Sequence, residues 1–317
     1  NIVLRVVFLY VGQGSCTLLL AANGSGYDLL VVDINLDYKN GGVNVPKVVK
    51  DLLDGGKLSV FINTLPHNDH LCGVEELSKA VDISQVWHSG HIPGKDHDDA
   101  YKKLKAVIKK VKDGGGESRE LLGSTEQISL GEIAYYCLAP AEYVCDEVSD
   151  ETAETRSKRI HEQCAVLKFG FSDKWVLLPG DADRDAFEKH ITEYHKERLP
   201  STILAAPHHG SDSFFVNPND EEDIYLEALE TIAPDYVIIS APKSKESPHG
   251  HPNKKAVELY VDQLGEDNVL HTGENRYCFI VDIFRDGTYS GVMDEQGELC
   301  ESYPLDDDGD GGKGEKK

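Results

Sequence analysis

Residues 64–73 read Thr-Leu-Pro-His-Asn-Asp-His-Leu-Cys-Gly, so His67, Asp69 and His70 fall within four residues, just after the apolar run Val60-Phe61-Ile62. Neutral imidazole and carboxylate are the donors that borderline divalent ions such as Zn²⁺ take. Further on, Asp181 follows Leu177-Leu178-Pro179-Gly180, and the pair His208-His209 follows Leu204-Ala205-Ala206-Pro207. His251 closes the loop after Ile238-Ile239-Ser240, and Asp33 ends Leu30-Val31-Val32. Donors at the ends of several apolar strands are what a metal site needs, because rigid strands hold residues distant in sequence at one place. The chemistry implied is hydrolysis, since a divalent ion acidifies water toward neutrality. Asp69 is expected to ligate the ion or orient the water, with His67 and His70 completing the coordination and Asp181 facing any second ion. Asp33 is expected behind them, accepting a hydrogen bond from a ligand histidine and fixing its tautomer. His208, His209 and His251 compete for two roles, last ligand and general acid to the leaving group.

The elements that must position these residues can be read from the apolar patterning. Strands are expected at residues 2–11, 16–21, 29–33, 60–64, 85–88, 134–138, 164–169, 175–178, 203–206, 236–240, 278–284 and 288–292. Helices are expected at 45–53, 74–80, 100–111, 184–194, 223–231 and 255–264. Strands in two blocks with helices after the motifs predict an α/β fold, two mixed sheets face to face with helices outside. Residues 1–304 are expected to form the domain and 305–317 a disordered tail, acidic and glycine-rich with nothing apolar to bury. Residues 147–158 read as a charged insertion able to overhang the site.

The ordered set of motifs resembles the metallo-β-lactamase superfamily, in particular its ComEC-like branch. The resemblance rests on Val11-Gly12-Gln13-Gly14-Ser15-Cys16, Asp33, the His67/Asp69/His70 motif with Gly73, Gly180-Asp181-Ala182, His208-His209-Gly210-Ser211 and Gly250-His251-Pro252. It spans about residues 1–293. It implies the four-layer αβ/βα sandwich of that superfamily and a metal-dependent hydrolase, with phosphodiesterase or nuclease chemistry. The departure is Leu65, where the pattern has a histidine. The first ion position thereby loses a ligand, and one Zn or Mn ion is expected rather than two. His161 is a further donor, read as a helix-end or loop histidine.

Composition narrows the partners. The net charge of −24 argues against a general polyanion binder, because phosphate-backbone affinity comes from lysine and arginine. One stretch runs the other way. Leu104, Val107, Ile108 and Val111 fall at helical spacing, and Lys102, Lys103, Lys105, Lys109, Lys110 and Lys112 lie outside that stripe. Lys102, Lys105 and Lys109 are therefore expected to guide a nucleic acid or nucleotide to the site. The seven cysteines form no CxxC pair and are expected as reduced core residues of a cytoplasmic protein, Cys72 included. No apolar run is long enough to span a membrane. Two other readings stay open: a hydrolase of a small ester, lactone or nucleotide, and a non-catalytic domain that binds a protein partner in a multi-component system.

Overall fold

The computed structural model describes residues 1–150, 152, 155 and 159–305. All but the first residue of the expected tail and half of the expected insertion at 147–158 lie outside the described residues. In chain order the strands are β1 (Ile2–Phe8), β2 (Thr17–Asn23), β3 (Gly26–Val32), β4 (Leu58–Asn63), β5 (Ile83–His88), β6 (Glu117–Glu120), β7 (Ile128–Leu130) and β8 (Ile133–Ala139). They continue as β9 (Val166–Phe171), β10 (Lys174–Leu178), β11 (Ile203–Ala205), β12 (Val216–Asn217), β13 (Asp220–Ile224), β14 (Tyr236–Ile239), β15 (Val269–His271), β16 (Phe279–Phe284) and β17 (Met293–Asp294). One sheet runs β17-β16-β1-β2-β3-β4-β5-β6 and the other β15-β14-β11-β10-β9-β8-β7.

The central strands are apolar on both faces, and period-2 alternation sends neighbouring residues into different cores. Leu30, Val32, Val60 and Ile62 of the first sheet meet Leu167, Phe169, Val176 and Leu178 of the second. The residues between them, Val31 and Phe61, pack outward on the helices Val45–Leu53, Val74–Ala80 and Asp98–Asp113. On the far side Val166 and Leu177 pack on Phe187, Ile191, Leu229 and Tyr260. Helix, sheet, sheet, helix is the four-layer sandwich expected from the sequence.

Helix starts follow local chemistry. Asn44 caps Val45–Leu53 by accepting from the Lys47 amide, and Asn253 caps Lys254–Leu264 by accepting from the Ala256 amide. Three expectations need correction. Residues 288–292 form no strand: Tyr289 makes a single bridge to Ile283, and the pairing passes to β17. The helix expected from 223 begins at Glu227, because Asp220–Ile224 pairs with Val216–Asn217. The expected 184–194 helix is α-helical only over Arg184–Ala186 and continues as a π-turn over Phe187–Ile191. The missed edge strands β6 (Glu-Ser-Arg-Glu) and β7 (Ile-Ser-Leu) are too short and polar for periodicity to reveal, and neighbouring strands set their register. Among the described residues no helix is long and apolar enough to cross a membrane.

β3 and β4 are parallel, as are β10, β11 and β14. Their carboxyl ends therefore fall along one edge, the usual place for a ligand site in open α/β sheets.

Candidate metal centre

The chain leaves β3 at Asp33, a left-handed residue with φ 57°. Its carboxylate accepts from the Thr64 amide (2.8 Å), the Thr64 hydroxyl (2.5 Å) and the Asn63 side-chain amide (3.1 Å), all at the end of β4. It also faces His70 Nδ1 at 2.8 Å. A carboxylate can only accept, so Nδ1 carries the proton and, in the neutral ring, Nε2 is a bare lone pair. That Nε2 lies 3.0 Å from Asp181 Oδ1. Both atoms are buried and neither has a hydrogen-bond partner.

His209 repeats the device from the other sheet. Its Nδ1 faces the Ser240 carbonyl, again only an acceptor, at 3.1 Å. Nε2 then points at Asp69 Oδ2 (3.1 Å) and Asp181 Oδ1 (3.5 Å). Asp69 is placed from behind by the glycine turn after β1. The Ser15 amide donates to the Asp69 carbonyl at 3.2 Å, and a Cβ on Gly14 would stand 2.6 Å from that oxygen. Gly180 takes φ 55°, where a Cβ would meet Cys164 Sγ at 2.6 Å, and the Asp181 amide donates to that sulfur at 3.3 Å. Ligand-type atoms of Asp69, His70, Asp181 and His209 all lie within 4.8 Å of one another.

His208 and His209 both hold left-handed backbone, φ 51° and 57°. Such strain in non-glycine residues gathers at functional sites. Here it sends two successive imidazoles to different edges of one carboxylate: His208 Nε2 is 3.8 Å from Asp181 Oδ2. His161 joins that side, so that His161, Asp181 and His208 form a second group with ligand atoms within 4.8 Å.

Electrostatics point to a cation. Burial alone would raise the Asp69 and Asp181 carboxyls, yet the facing histidines, His70 first, hold both well below the usual carboxylate range. Burial alone would keep His70 and His209 neutral, but the surrounding carboxylates, Asp181 foremost, pull both upward. The carboxylates draw positive charge toward the buried rings of His70 and His209, charge that a divalent ion would supply without forcing a proton onto either ring.

His67 and His251 stand beside the clusters and outside both. His67 stacks on His97 with centroids 4.0 Å apart, and its buried Nε2 has no partner. Burial and His97 hold its pKa down to about 3. The His251 ring is 5.2 Å from His208 and 6.3 Å from His209. Burial, with His208 and His209 adding to it, holds it down to about 4. Both are neutral near pH 7. Ser211 accepts from the Ser213 amide at 3.1 Å and serves its turn.

Other expectations change. Leu65 is fully buried among Leu138, Ala139, Cys164 and Ala182, packing where the family pattern has a ligand. Cys72 is exposed rather than in the core. Lys102 and Lys109 are ion-paired with Asp98 and Asp113 of their own helix, as Lys103 is with Asp99. Lys105 lies over the Tyr101 ring (4.5 Å) and lines a cavity of about 240 Å³ with His88, His91 and Pro66. His161 is the donor that sequence reading undervalued. It precedes a strand instead of following one, but β9 is antiparallel to β10, so the start of β9 shares the site edge.

No family model matches the chain, and no curated protein matches it. Among solved structures it is similar to Igni18, a metallo hydrolase from the hyperthermophilic archaeon Ignicoccus hospitalis, at 12% identity over 91% of this chain and 98% of that one (TM-score 0.49). It is similar to the diiron β-hydroxylase CmlA from Streptomyces venezuelae at 16% identity over 84% of this chain (TM-score 0.46), and spans about half (52%) of that protein. A diphosphatase of the PhnP family matches at 11% identity over 84% of this chain and 94% of that one (TM-score 0.41). These likenesses are distant, and the reading of the centre rests on its own geometry.

Proposed function

We propose that the protein is a metal-dependent hydrolase of the metallo-β-lactamase type and that its substrate is a phosphodiester. One observation carries the reading: two imidazoles, His70 with Nδ1 on the Asp33 carboxylate and His209 with Nδ1 nearest the Ser240 carbonyl and the Ser15 hydroxyl at 3.4 Å, aim Nε2 at the carboxylates of Asp181 and Asp69. Those four residues would hold a divalent ion, Zn or Mn by donor type. When bound, such an ion acidifies water and polarises a phosphoryl oxygen. Asp69, the most open of the four with a side chain 25% exposed, is placed to accept the proton of an attacking water. Neutral His251, with a buried Nδ1 lacking any partner, would offer a substrate a hydrogen bond beside His208 and His209.

The test is elemental analysis of purified, dialysed protein, followed by hydrolysis of bis(p-nitrophenyl) phosphate with Zn²⁺, Mn²⁺ and Mg²⁺ supplied separately. Retained divalent metal and metal-dependent cleavage, lost in Asp69→Ala, are expected. Protein that binds no divalent ion overturns the reading. The second reading, a small ester or lactone, draws support from the net charge of −24 and from the pairing of Lys102, Lys103 and Lys109 within their own helix. Turnover of p-nitrophenyl acetate or a lactone, with no phosphodiester cleavage under any metal, would select it.

A further inference from the structure

We infer that Cys278 and Cys300 form a redox modification site: a dithiol that a peroxide oxidises to a disulfide, fastening the last helix, Glu298–Ser302, to the head of β16. The site shares no residue with the candidate metal centre, and it stands whether or not that centre holds an ion.

The two residues are brought together by contacts that do not depend on sulfur. β16 and β17 are antiparallel, and where they part the Glu295 amide donates to the Cys278 carbonyl at 3.3 Å. The Glu295 carboxylate returns the contact: Oε1 accepts from the Cys278 amide and Oε2 from the Leu299 amide, both at 2.6 Å. One side chain thus holds the start of β16 against the helix that carries Cys300. Cys300 Sγ reaches the Arg276 carbonyl, two residues before Cys278, at 3.3 Å. Leu299, Cys300 and Tyr303 pack on the apolar cluster that contains Cys278. Beyond the helix, the Tyr303 carbonyl accepts from the Asn44 amide at 2.9 Å, so the segment is set at both ends.

The two thiols differ as a stepwise oxidation requires, one reachable and ionisable, the other buried beside it. Cys278 is fully buried, its Sγ accepts from the Tyr10 amide at 3.3 Å, and its thiol shares a hydrogen bond with Cys300. Cys300 is part-exposed, and that hydrogen bond from Cys278, with Arg276 adding to it, outweighs burial and Glu295 and draws its thiol below the ordinary range. The other six thiols are all pushed up, Cys72 and Cys145 by burial foremost. Cys300 as thiolate attacks one oxygen of hydrogen peroxide; the O–O bond breaks, and the Cys300 sulfenic acid and one water result. Cys278 sulfur then attacks the sulfenic sulfur; the S–O bond breaks, and the departing hydroxide takes the Cys278 proton as a second water. The two sulfurs together lose two electrons and the peroxide gains them. The disulfide closes a loop over residues 278–300, which restricts the unfolded chain and so favours the folded one.

The experiment is treatment of the reduced full chain with hydrogen peroxide, removal of the peroxide by catalase, and alkylation with iodoacetamide under denaturing conditions, followed by intact mass and tryptic mapping. Arg285 lies between the two cysteines, so the disulfide joins two tryptic peptides that dithiothreitol separates. The oxidised chain should carry two fewer alkyl groups than the reduced chain with its seven cysteines, and its linked pair should be Cys278 with Cys300. Its melting temperature should rise by about 3–6 °C and fall back with dithiothreitol. Cys278→Ala should leave Cys300 as a sulfenic acid that dimedone traps. Cys300→Ser, a change at a part-exposed sulfur, should lose the linked pair and the melting shift together, which keeps the test decisive if the Cys278 variant does not fold. Free Cys278 and Cys300 after peroxide, a link through Cys72 or Cys145 instead, or a melting shift that persists in Cys300→Ser overturns the inference.

Discussion

The two sides of Asp181 use the same donor types but are built differently. On the Oδ1 side, His70 and His209 have side chains 0% and 1% exposed, and their Nδ1 atoms are held by Asp33 and by the Ser240 carbonyl at the ends of β3 and β14. On the Oδ2 side, His161 and His208 are 24% and 22% exposed; His208 shares its 3₁₀ turn with His209, and His161 rides on another. Burial removes competing water and strengthens every charge interaction, while acceptors fixed at strand ends leave the two rings little freedom to lose on binding. The lesson is that one carboxylate can face a buried pair of imidazoles on one edge and a part-exposed pair on the other, the difference lying in what stands around the rings.

The sharpest way to break that contrast is at the shared residue. Asp181→Ala should abolish metal retention on both sides and lower hydrolysis by more than about a hundredfold, since a ligand matters more than an outer partner. Asp69→Ala should remove only metal held on the Oδ1 side. Elemental analysis distinguishes the two, and equal losses in both variants would dissolve the distinction between the sides. A smaller effect is expected behind the ligand. Asp33→Asn keeps the shape but removes the charge that fixes His70, and should weaken metal binding on the Oδ1 side about 10- to 100-fold by competition titration.

Leu65→His tests whether the lost ligand can be restored in place. Leu65 lies in an apolar core, so the substitution should cost about 1–3 kcal/mol of stability by denaturant unfolding and add no metal equivalent. A gained equivalent would show that the side chain swings into the cleft. Acid should loosen the His161 turn, Ile160–Gln163, before it unfolds the rest. Burial would raise the Glu162 carboxyl, but His190 and Arg159 outweigh it and hold it down to about 2, below its ordinary 4.5. A carboxyl depressed in the folded state stabilises above its unfolded pKa, and that stability is lost as pH falls from 4.5 toward 2. The stability gap between metal-free wild type and Glu162→Gln should therefore close over that window, by at most about 1.4 kcal/mol per pH unit. A gap independent of pH would deny the carboxylate this role. The smallest effects are expected on the helix Asp98–Asp113. Lys102→Gln and Lys109→Gln should each change stability by about 0.5 kcal/mol or less and leave the salt dependence of cleavage unaltered, because their charges are already met by Asp98 and Asp113. A steep loss of salt dependence would return these lysines to the path of the substrate.

The sandwich was legible in the chain because its central strands are buried on both faces and so read as apolar runs, from Val31 and Phe61 to Leu177 and Leu204. For the same reason the donors that follow those runs, Asp33, Asp69, His70, Asp181 and the pair His208-His209, stand out by position and type. The edges could not: β6 and β15 take their pairing from β5 and β14 rather than from any pattern of their own. Nor could linear order separate His208 from His209. That assignment depends on two left-handed residues in succession, a backbone state held by packing across the sheets. His161 was hidden because β9 runs antiparallel to β10, so a donor before a strand reaches the edge where the others follow one. The surroundings of Leu65 and of the helix lysines were equally hidden, for a related reason. A motif gives a residue's place in the chain, whereas burial in an apolar cluster or an aspartate one turn away decides what its side chain can reach. Sequence determined which chemistry the chain carries and which strands carry it. Tertiary structure decided which lone pairs converge, because convergence depends on strand direction and on the acceptors that fix each imidazole from behind.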